Sequence, residues 1–529
     1  MQRGEQRGEQ RGVQRGVQRG EQRGAIKSKI FRAAKVIGKL AKQSATYGVS
    51  TILGRLLSYL LTPYYTRLFT TDEYGIITDL YALIPFALVL FTMGLESGYF
   101  RFAARAESEG VSRADIRRRK KRLYATTWGL TCLVSVAFTG FVVFNIEEVN
   151  RLMGEAYMQQ PYLAPLVACV IMFDVMTALP FARFREQGEV KKYVMLNMLN
   201  IVLQVGLAIL YGSIGLFDTP LGVGWVLLAN LPASMITFAL AVTLARPYVL
   251  PLIDWRLMCR VVIYSMPLLL SGIAATATDF LDRQLIKYIA PENAMAQLGL
   301  YGAVAKIAVV MTLFTQMYRL AAEPYFLANF KKEEFVESNA EAMKYYIIAT
   351  MTIFLGITLS SDLFMYIVGS DFREGETILP VILLSNLLMG VWLNLSFWYK
   401  REERTRYALV ITLWGLVVSV VANIFMIPPF GYEGAAWARL ISQVAMVGIS
   451  YSLMRRHFPI PYDLRRIGEY VLVCGAVCGV GVWIESVWSG LGASLMICMV
   501  LVVSYLGFVL YREGVDFGAA LERIKLRKR

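Results

Sequence analysis

A few charged side chains stand inside long apolar runs of this chain, where water is scarce and charge is costly. Arg55 lies near the middle of the run 44–68. Asp279, Asp282 and Arg283 follow the i, i+3, i+4 spacing within 260–290 and so share one helical face. Lys306 falls in the outer half of 297–326, with no acid at helical spacing, and Arg319 and Glu323 sit one turn apart near the other end of that run. Arg439 lies within 433–454, Asp174 in the middle of 161–183, and Asp79 and Glu96 within 75–100. An ionisable group at the centre of a bilayer costs about 3 kcal/mol or more, so such groups face a cavity or a partner and mark function.

The types of these residues suggest two kinds of chemistry. Arg55, Arg283, Lys306 and Arg439 supply several cations to one interior, which suits an anionic substrate bearing phosphate or carboxylate. The acids Asp279, Asp282, Asp174 and Glu96 are candidates for ion coupling or gating, as is the Arg319–Glu323 pair. A mid-span carboxyl such as Asp174 suits proton exchange, because burial favours its neutral form. Two alternatives stay open: Asp282 with Arg283 also reads as an ion pair closing the outer end, and Glu96, near Arg101, also reads as interfacial.

Other chemistries find no support. His457 is the only histidine, which excludes histidine metal clusters and proton relays. The six cysteines, Cys132, Cys169, Cys259, Cys474, Cys478 and Cys498, lie in or beside apolar stretches and read as core thiols, with no second pair to make a metal site of Cys474 and Cys478. No GxxxxGK[ST] motif occurs, so no cofactor or nucleotide is expected and energy must come from a gradient or the membrane potential.

The elements that hold these charges are membrane spans. Of 529 residues, 56% are hydrophobic and only 18% charged, with a mean hydropathy of +0.50. Soluble domains carry about 25% charged residues. About fourteen runs reach the length of roughly 20 apolar residues that a spanning helix needs: 44–68, 75–100, 123–146, 161–183, 193–216, 221–245, 260–290, 297–326, 342–368, 375–399, 406–427, 433–454, 469–487 and 490–511. The expected fold is an all-α integral membrane protein.

The net charge of +15 is a topology signal. With both termini cytoplasmic, inner loops and tails collect 45 of the 54 Lys and Arg, and the outer loops only Arg67, Arg151, Lys287 and Arg373. That distribution follows the positive-inside rule. Nucleic acid is not an expected partner, since the basic segments border apolar runs instead of clustering on a soluble face. Residues 1–25 repeat a QRG-containing tetrapeptide and are expected to be disordered. Residues 26–43 place Ile26, Ile30, Ile37 and Leu40 on one face with lysines around them, the pattern of an interfacial helix on anionic lipid headgroups. The tail 512–529 is basic and expected in the cytoplasm.

The sequence also repeats itself. EYGIITDLY at 73–81, ahead of LFT at 90–92, resembles LYGAVAK at 300–306, ahead of LFT at 313–315. The offset is six spans, an even number, so both copies keep one orientation. Two pseudo-symmetric six-helix lobes in parallel repeat are expected, 44–245 and 257–454, followed by two C-terminal helices over 469–511.

Several stretches together resemble a known family. They are YGVS at 47–50 with Arg55, TPYYTRLFTTDEYG at 62–75, GLESGYFRF at 94–102, LPFARFREQG at 179–188, YSMPLLLSG at 264–272 with Asp282 and Arg283, GLYGAVAKI at 299–307 and GYEGAAW at 431–437. The ordered set is similar to the polysaccharide-synthesis oligosaccharide flippases (Wzx-type) of the multidrug/oligosaccharidyl-lipid/polysaccharide exporter superfamily, from about residue 40 onward. The resemblance implies alternating access in a bacterial cytoplasmic (inner) membrane. It implies an undecaprenyl-pyrophosphate-linked oligosaccharide as cargo, a repeat unit of surface polysaccharide or O-antigen lipopolysaccharide. Arg55, Arg283, Lys306 and Arg439 would supply the family's cationic cavity, a coupling H+ or Na+ would bind the acids, and a polysaccharide polymerase and glycosyltransferases would be partners. The QRG repeats have no counterpart in the family. A lipid II flippase or a multidrug/ion antiporter of the same superfamily is the nearest alternative, although a cationic cavity argues against cationic drugs. A membrane glycosyltransferase or polymerase is more distant, because no D-x-D motif and no large outer loop occur.

Overall fold

The structure, a computed structural model, describes residues 59–109, 112–245, 254–330, 334–402, 404, 406–487 and 491–514, with positions 52, 54, 56 and 57. Arg55, the QRG tail, the segment 26–43 and the tail beyond 514 lie outside the described residues. The described residues form helices joined by short turns, with no strand among them. Among the described residues, ten helical stretches are long and apolar enough to cross a membrane, or eleven if the bent pair Ala294–Ile307 and Val309–Phe326 counts as one span.

The difference from fourteen has local causes. Most of 44–68 is outside the described residues, leaving Leu61–Leu68. Arg406–His457 is a helical hairpin that holds both expected spans, 406–427 and 433–454, and is counted once above: Tyr407 Oη lies 3.0 Å from His457 Nε2, and Ser442 donates to the Gly415 carbonyl at 2.7 Å. It is interrupted at Gly431, whose φ of 57° and ψ of −135° are non-helical, just after Pro428 and Pro429. The stretch Met496–Arg512 is apolar but short.

Helix starts follow from their caps. Thr70 and Glu73 form a reciprocal capping box that opens Thr71–Thr92. Met93 and Gly94, both at positive φ, turn the chain into Leu95–Glu109. Ser112 caps Arg113–Phe144, so the arginine-rich run continues the helix of span 3 instead of forming a loop. Lys287, expected in an outer loop, lies inside Trp255–Ile289.

Two hydrophobic cores organise the bundle. One draws on residues from Leu61 to Ala229, the other on residues from Ile286 to Val509. The helix Ala294–Ile307 joins them: Leu300 and Ala303 belong to the first, Leu298, Tyr301 and Val304 to the second. Its contact with Thr71–Thr92 is the most extensive of any helix pair. Glycine makes this approach feasible. A Cβ on Gly75 would stand 1.9 Å from the Met295 carbonyl oxygen, and one on Gly299 would stand 2.1 Å from that of Thr71. Gly302, the glycine of the second Tyr-Gly copy, is as close, a Cβ there falling 2.3 Å from Thr78 Oγ1, so the two copies lie at the crossing. Leu464–Val487 and Leu491–Arg512 pack on Phe335–Thr358.

Candidate functional site

A cavity of about 400 Å³ lies between the halves, below the crossing of the two Tyr-Gly segments. Thr71–Thr92 contributes Thr78, Tyr81, Pro85 and Phe86, Trp255–Ile289 contributes Asp279, Phe280 and Arg283, and Ala294–Ile307 contributes Lys306. Three residues singled out from sequence are thus brought together. The rings of Phe86 and Phe280 stack across the halves at 4.3 Å.

Lys306 is held by aromatic faces, not by acids. Its Nζ lies 5.1 Å from the Tyr74 ring centroid and 5.9 Å from that of Tyr81. Such contacts steady a cation without neutralising it, and Lys306 has no carboxylate partner among the described residues. Just beyond Lys306, at Ala308, the span breaks and bends by 45°. The Asn386 side chain donates to the Ala308 carbonyl at 3.2 Å, satisfying an acceptor near the break. Irregular backbone at this depth is tolerated where it is buried in protein or lines a cavity.

Arg283 donates to the carbonyl of Asp279 at 2.8 Å and makes no ion pair with a carboxylate among the described residues. Of the two readings left open for Arg283, the ion pair with Asp282 is not formed among the described residues. Instead Arg439, from the far helix, reaches Asp279 at 2.6 Å and Asp282 at 3.6 Å. Asp282, fully buried, also accepts from Asn423 at 2.9 Å and Ser419 at 3.1 Å. Arg439 is therefore committed to two carboxylates and does not line the cavity. Because Arg439 is shared between two carboxylates, Arg283 beside Asp279 balances the remaining negative charge, and Lys306 faces the void as the cation with no acidic counterpart among the described residues. Tyr65 Oη and Thr78 Oγ1, both on buried residues that line the cavity, have no hydrogen-bond partner among the described residues.

The other candidates lie elsewhere. Asp174 accepts from Ser234 at 2.7 Å inside the first half, away from the cavity wall. Glu96 pairs with Arg185 at the arginine-rich end. Arg319 is 3.3 Å from Glu323, which also takes Lys400 at 2.9 Å. Arg55 cannot be placed, since it is outside the described residues.

The opposite end carries a cluster that sequence reasoning did not assemble. Asp79 accepts from Lys287 at 2.6 Å, from Tyr157 at 2.7 Å, and from Gln284. Asp79 and Tyr157 belong to the first half and Lys287 and Gln284 to the second, so the cluster ties the two halves together across the seam. Only the presence of Asp79 inside an apolar run hinted at it.

No curated protein matches the chain in sequence. Among solved structures, the lipid II flippase MurJ in its inward closed conformation gives a TM-score of 0.67 at 11% identity, covering 89% of this chain and 99% of that one. The inward-facing conformation of a multidrug resistance MATE family transporter of the MOP superfamily gives 0.62 at 14% identity, with 76% and 94% covered. The MATE multidrug transporter DinF-BH gives 0.56 at 13%, with 79% and 95% covered. At these identities the likeness establishes the fold, which is that of MOP superfamily transporters. The family described as polysaccharide biosynthesis protein matches residues 40–330. Spanning more than half of its length, that match places the chain in the polysaccharide biosynthesis protein family.

Proposed function

We propose that the chain is a flippase that moves an undecaprenyl-pyrophosphate-linked oligosaccharide, a repeat unit of surface polysaccharide or O-antigen, from the cytoplasmic to the outer leaflet of the inner membrane. The observation that carries this reading is the cavity between the halves, in which Lys306 and Arg283 face the void while Arg439 is shared between Asp279 and Asp282. A net positive charge, with Lys306 uncompensated and Arg283 beside it on the wall, suits a diphosphate. At about 400 Å³ the cavity is on the scale of small-ligand pockets, roughly 300–1,000 Å³, and admits the diphosphate with adjoining sugar while the polyprenyl chain stays in lipid.

Transport then requires alternating access. The arginine-rich end faces the cytoplasm, as do both termini, and the lobes 44–245 and 257–454 rock about the cavity. The crossing at Gly75 and Gly299 and the Asp79–Lys287 pair close the outer end, and both must part for release. Asp174, Asp279 and Asp282 are the carboxylates available to a coupling H+ or Na+. Arg55, at mid-span, would add a third cation to the headgroup site. Glycosyltransferases would supply the cargo and a polymerase would consume it.

Reconstitution in liposomes with a labelled lipid-linked oligosaccharide tests the proposal. Accelerated transbilayer movement that is lost on Lys306→Gln is the expected result. No acceleration would overturn it. Acceleration of lipid II alone would reassign the cargo, and export of cationic drugs alone would place the chain with the antiporters.

A further inference from the structure

At the arginine-rich end, a second cavity of about 440 Å³ opens between Leu95–Glu109, the start of Arg113–Phe144 and the start of Trp255–Ile289. Five arginines and three carboxylates line it. Each carboxylate has its own arginine: Glu109 takes Arg105 at 2.7 Å, Asp115 takes Arg119 at 2.9 Å, and Asp254 takes Arg122 at 2.6 Å. That leaves Arg118 and Arg260, one from each of two elements, with no acidic partner among the described residues. Two long helices also begin at this cavity, capped by Ser112 and Asp254, and the positive ends of their dipoles point toward it.

The surroundings say what kind of anion fits. Immediately beside the arginines, Trp255 and Ile263 are 66% and 72% exposed, and Met266 is also exposed. These side chains need acyl chains against them, and an exposed tryptophan at a helix start is a mark of the membrane interface. The cavity thus pairs a cationic floor with an apolar shoulder at headgroup depth.

We propose that this cavity is a binding site for the phosphodiester headgroup of an anionic phospholipid, gripped by Arg118 and Arg260. It is separate from the cavity of Lys306 and from any cargo. Because its walls come from the first half (Leu95–Glu109 and Arg113–Phe144) and from the second (Trp255–Ile289), a bound lipid ties the halves together at this end. The site is the kind of basic pocket between helices that selects anionic headgroups.

The test reads binding without transport, so its failure leaves the flippase reading untouched. The purified full chain is placed in nanodiscs of phosphatidylcholine with increasing phosphatidylglycerol, and both bound lipid and melting temperature are measured. Phosphatidylglycerol is expected to bind and raise the melting temperature, and Arg118→Gln with Arg260→Gln to weaken that binding about tenfold or more. Arg465→Gln, at an exposed arginine elsewhere, should retain the full response. An unchanged response in the double variant would overturn the site. An equal response to inorganic pyrophosphate in detergent would overturn the lipid assignment in favour of a soluble anion.

Discussion

Lys287 Nζ donates to Asp79 Oδ2 at 2.6 Å across the seam between the two halves, with only 4% and 3% of the side chains exposed. A charge pair this deep holds its two elements together chiefly through what its loss would leave behind. Removing one partner strands the other, at about 3–5 kcal/mol. Tyr157 and Gln284 complete the shell on Asp79, so neither charge can relax toward water in place.

Lys287→Met is therefore expected to loosen the outer end. In a background lacking the native cysteines, maleimide labelling of Ile76→Cys, at a buried position beside this seam, should speed up about tenfold or more. Adding Asp79→Asn removes the stranded charge and should slow labelling again. Equal rates in all three backgrounds would show that the pair does not hold the end shut.

The glycine crossing makes an independent prediction about the same end. Gly299→Ala places a methyl 2.1 Å from the Thr71 carbonyl oxygen, so the two helices must separate. The expected cost is about 1–3 kcal/mol, read as a lower melting temperature together with faster labelling at position 76. Gly140→Ala, where a Cβ meets nothing within 4 Å, serves as the control. Its helix should be stabilised by up to about 1 kcal/mol. A similar loss at both positions would refute the close-approach argument.

What the sequence revealed and what it hid follow from the range of each signal. Apolar runs are local, so most spans emerged with errors at their ends. The cavity residues Asp279, Arg283 and Lys306 stood out because hydrocarbon makes any charge conspicuous. Pairing across the fold carried no such mark: Lys287 meets Asp79 from 208 positions away, and Arg439 meets Asp279 from 160. Lys287 looked like a loop cation because a base near a span end has two readings until its partner is known. The two arms of Arg406–His457 were separable in the sequence because Pro428, Pro429 and Gly431 mark the reversal between them. The Tyr-Gly echo, weak as a motif, marked the crossing because both copies need glycine there.

Outside the spans, Glu513 anchors the last helix. Burial pushes its carboxyl up, but hydrogen bonds from Lys344 and Tyr470, with nearby charges, outweigh burial and hold it below the ordinary value of 4.5. A carboxyl depressed on folding contributes stability that is present above that ordinary value and is lost as the pH falls through the folded one. Melting of the purified chain should therefore show a destabilisation below about pH 4.5 that Glu513→Gln diminishes. An identical acid profile in that variant would dissociate the anchor from the effect.

Lys306 and Arg439 should separate on two readouts, although both were cavity candidates by type and position. Arg439→Gln leaves Asp279 and Asp282 without their cation and is expected to cost about 3–5 kcal/mol in stability. Combining it with Asp279→Asn should recover part of that loss. Lys306→Gln breaks only aromatic contacts, about 1 kcal/mol or less, and should leave melting almost unchanged. Its effect should fall on cargo instead, with apparent affinity for the lipid-linked oligosaccharide about tenfold or more lower, because a charge-assisted contact to the diphosphate is lost. Lys306→Arg, which keeps the charge, should retain much of the affinity. If Lys306→Gln destabilised the fold as much as Arg439→Gln does, or if cargo affinity survived it intact, Lys306 would be a packing cation and the headgroup site would have to be sought elsewhere.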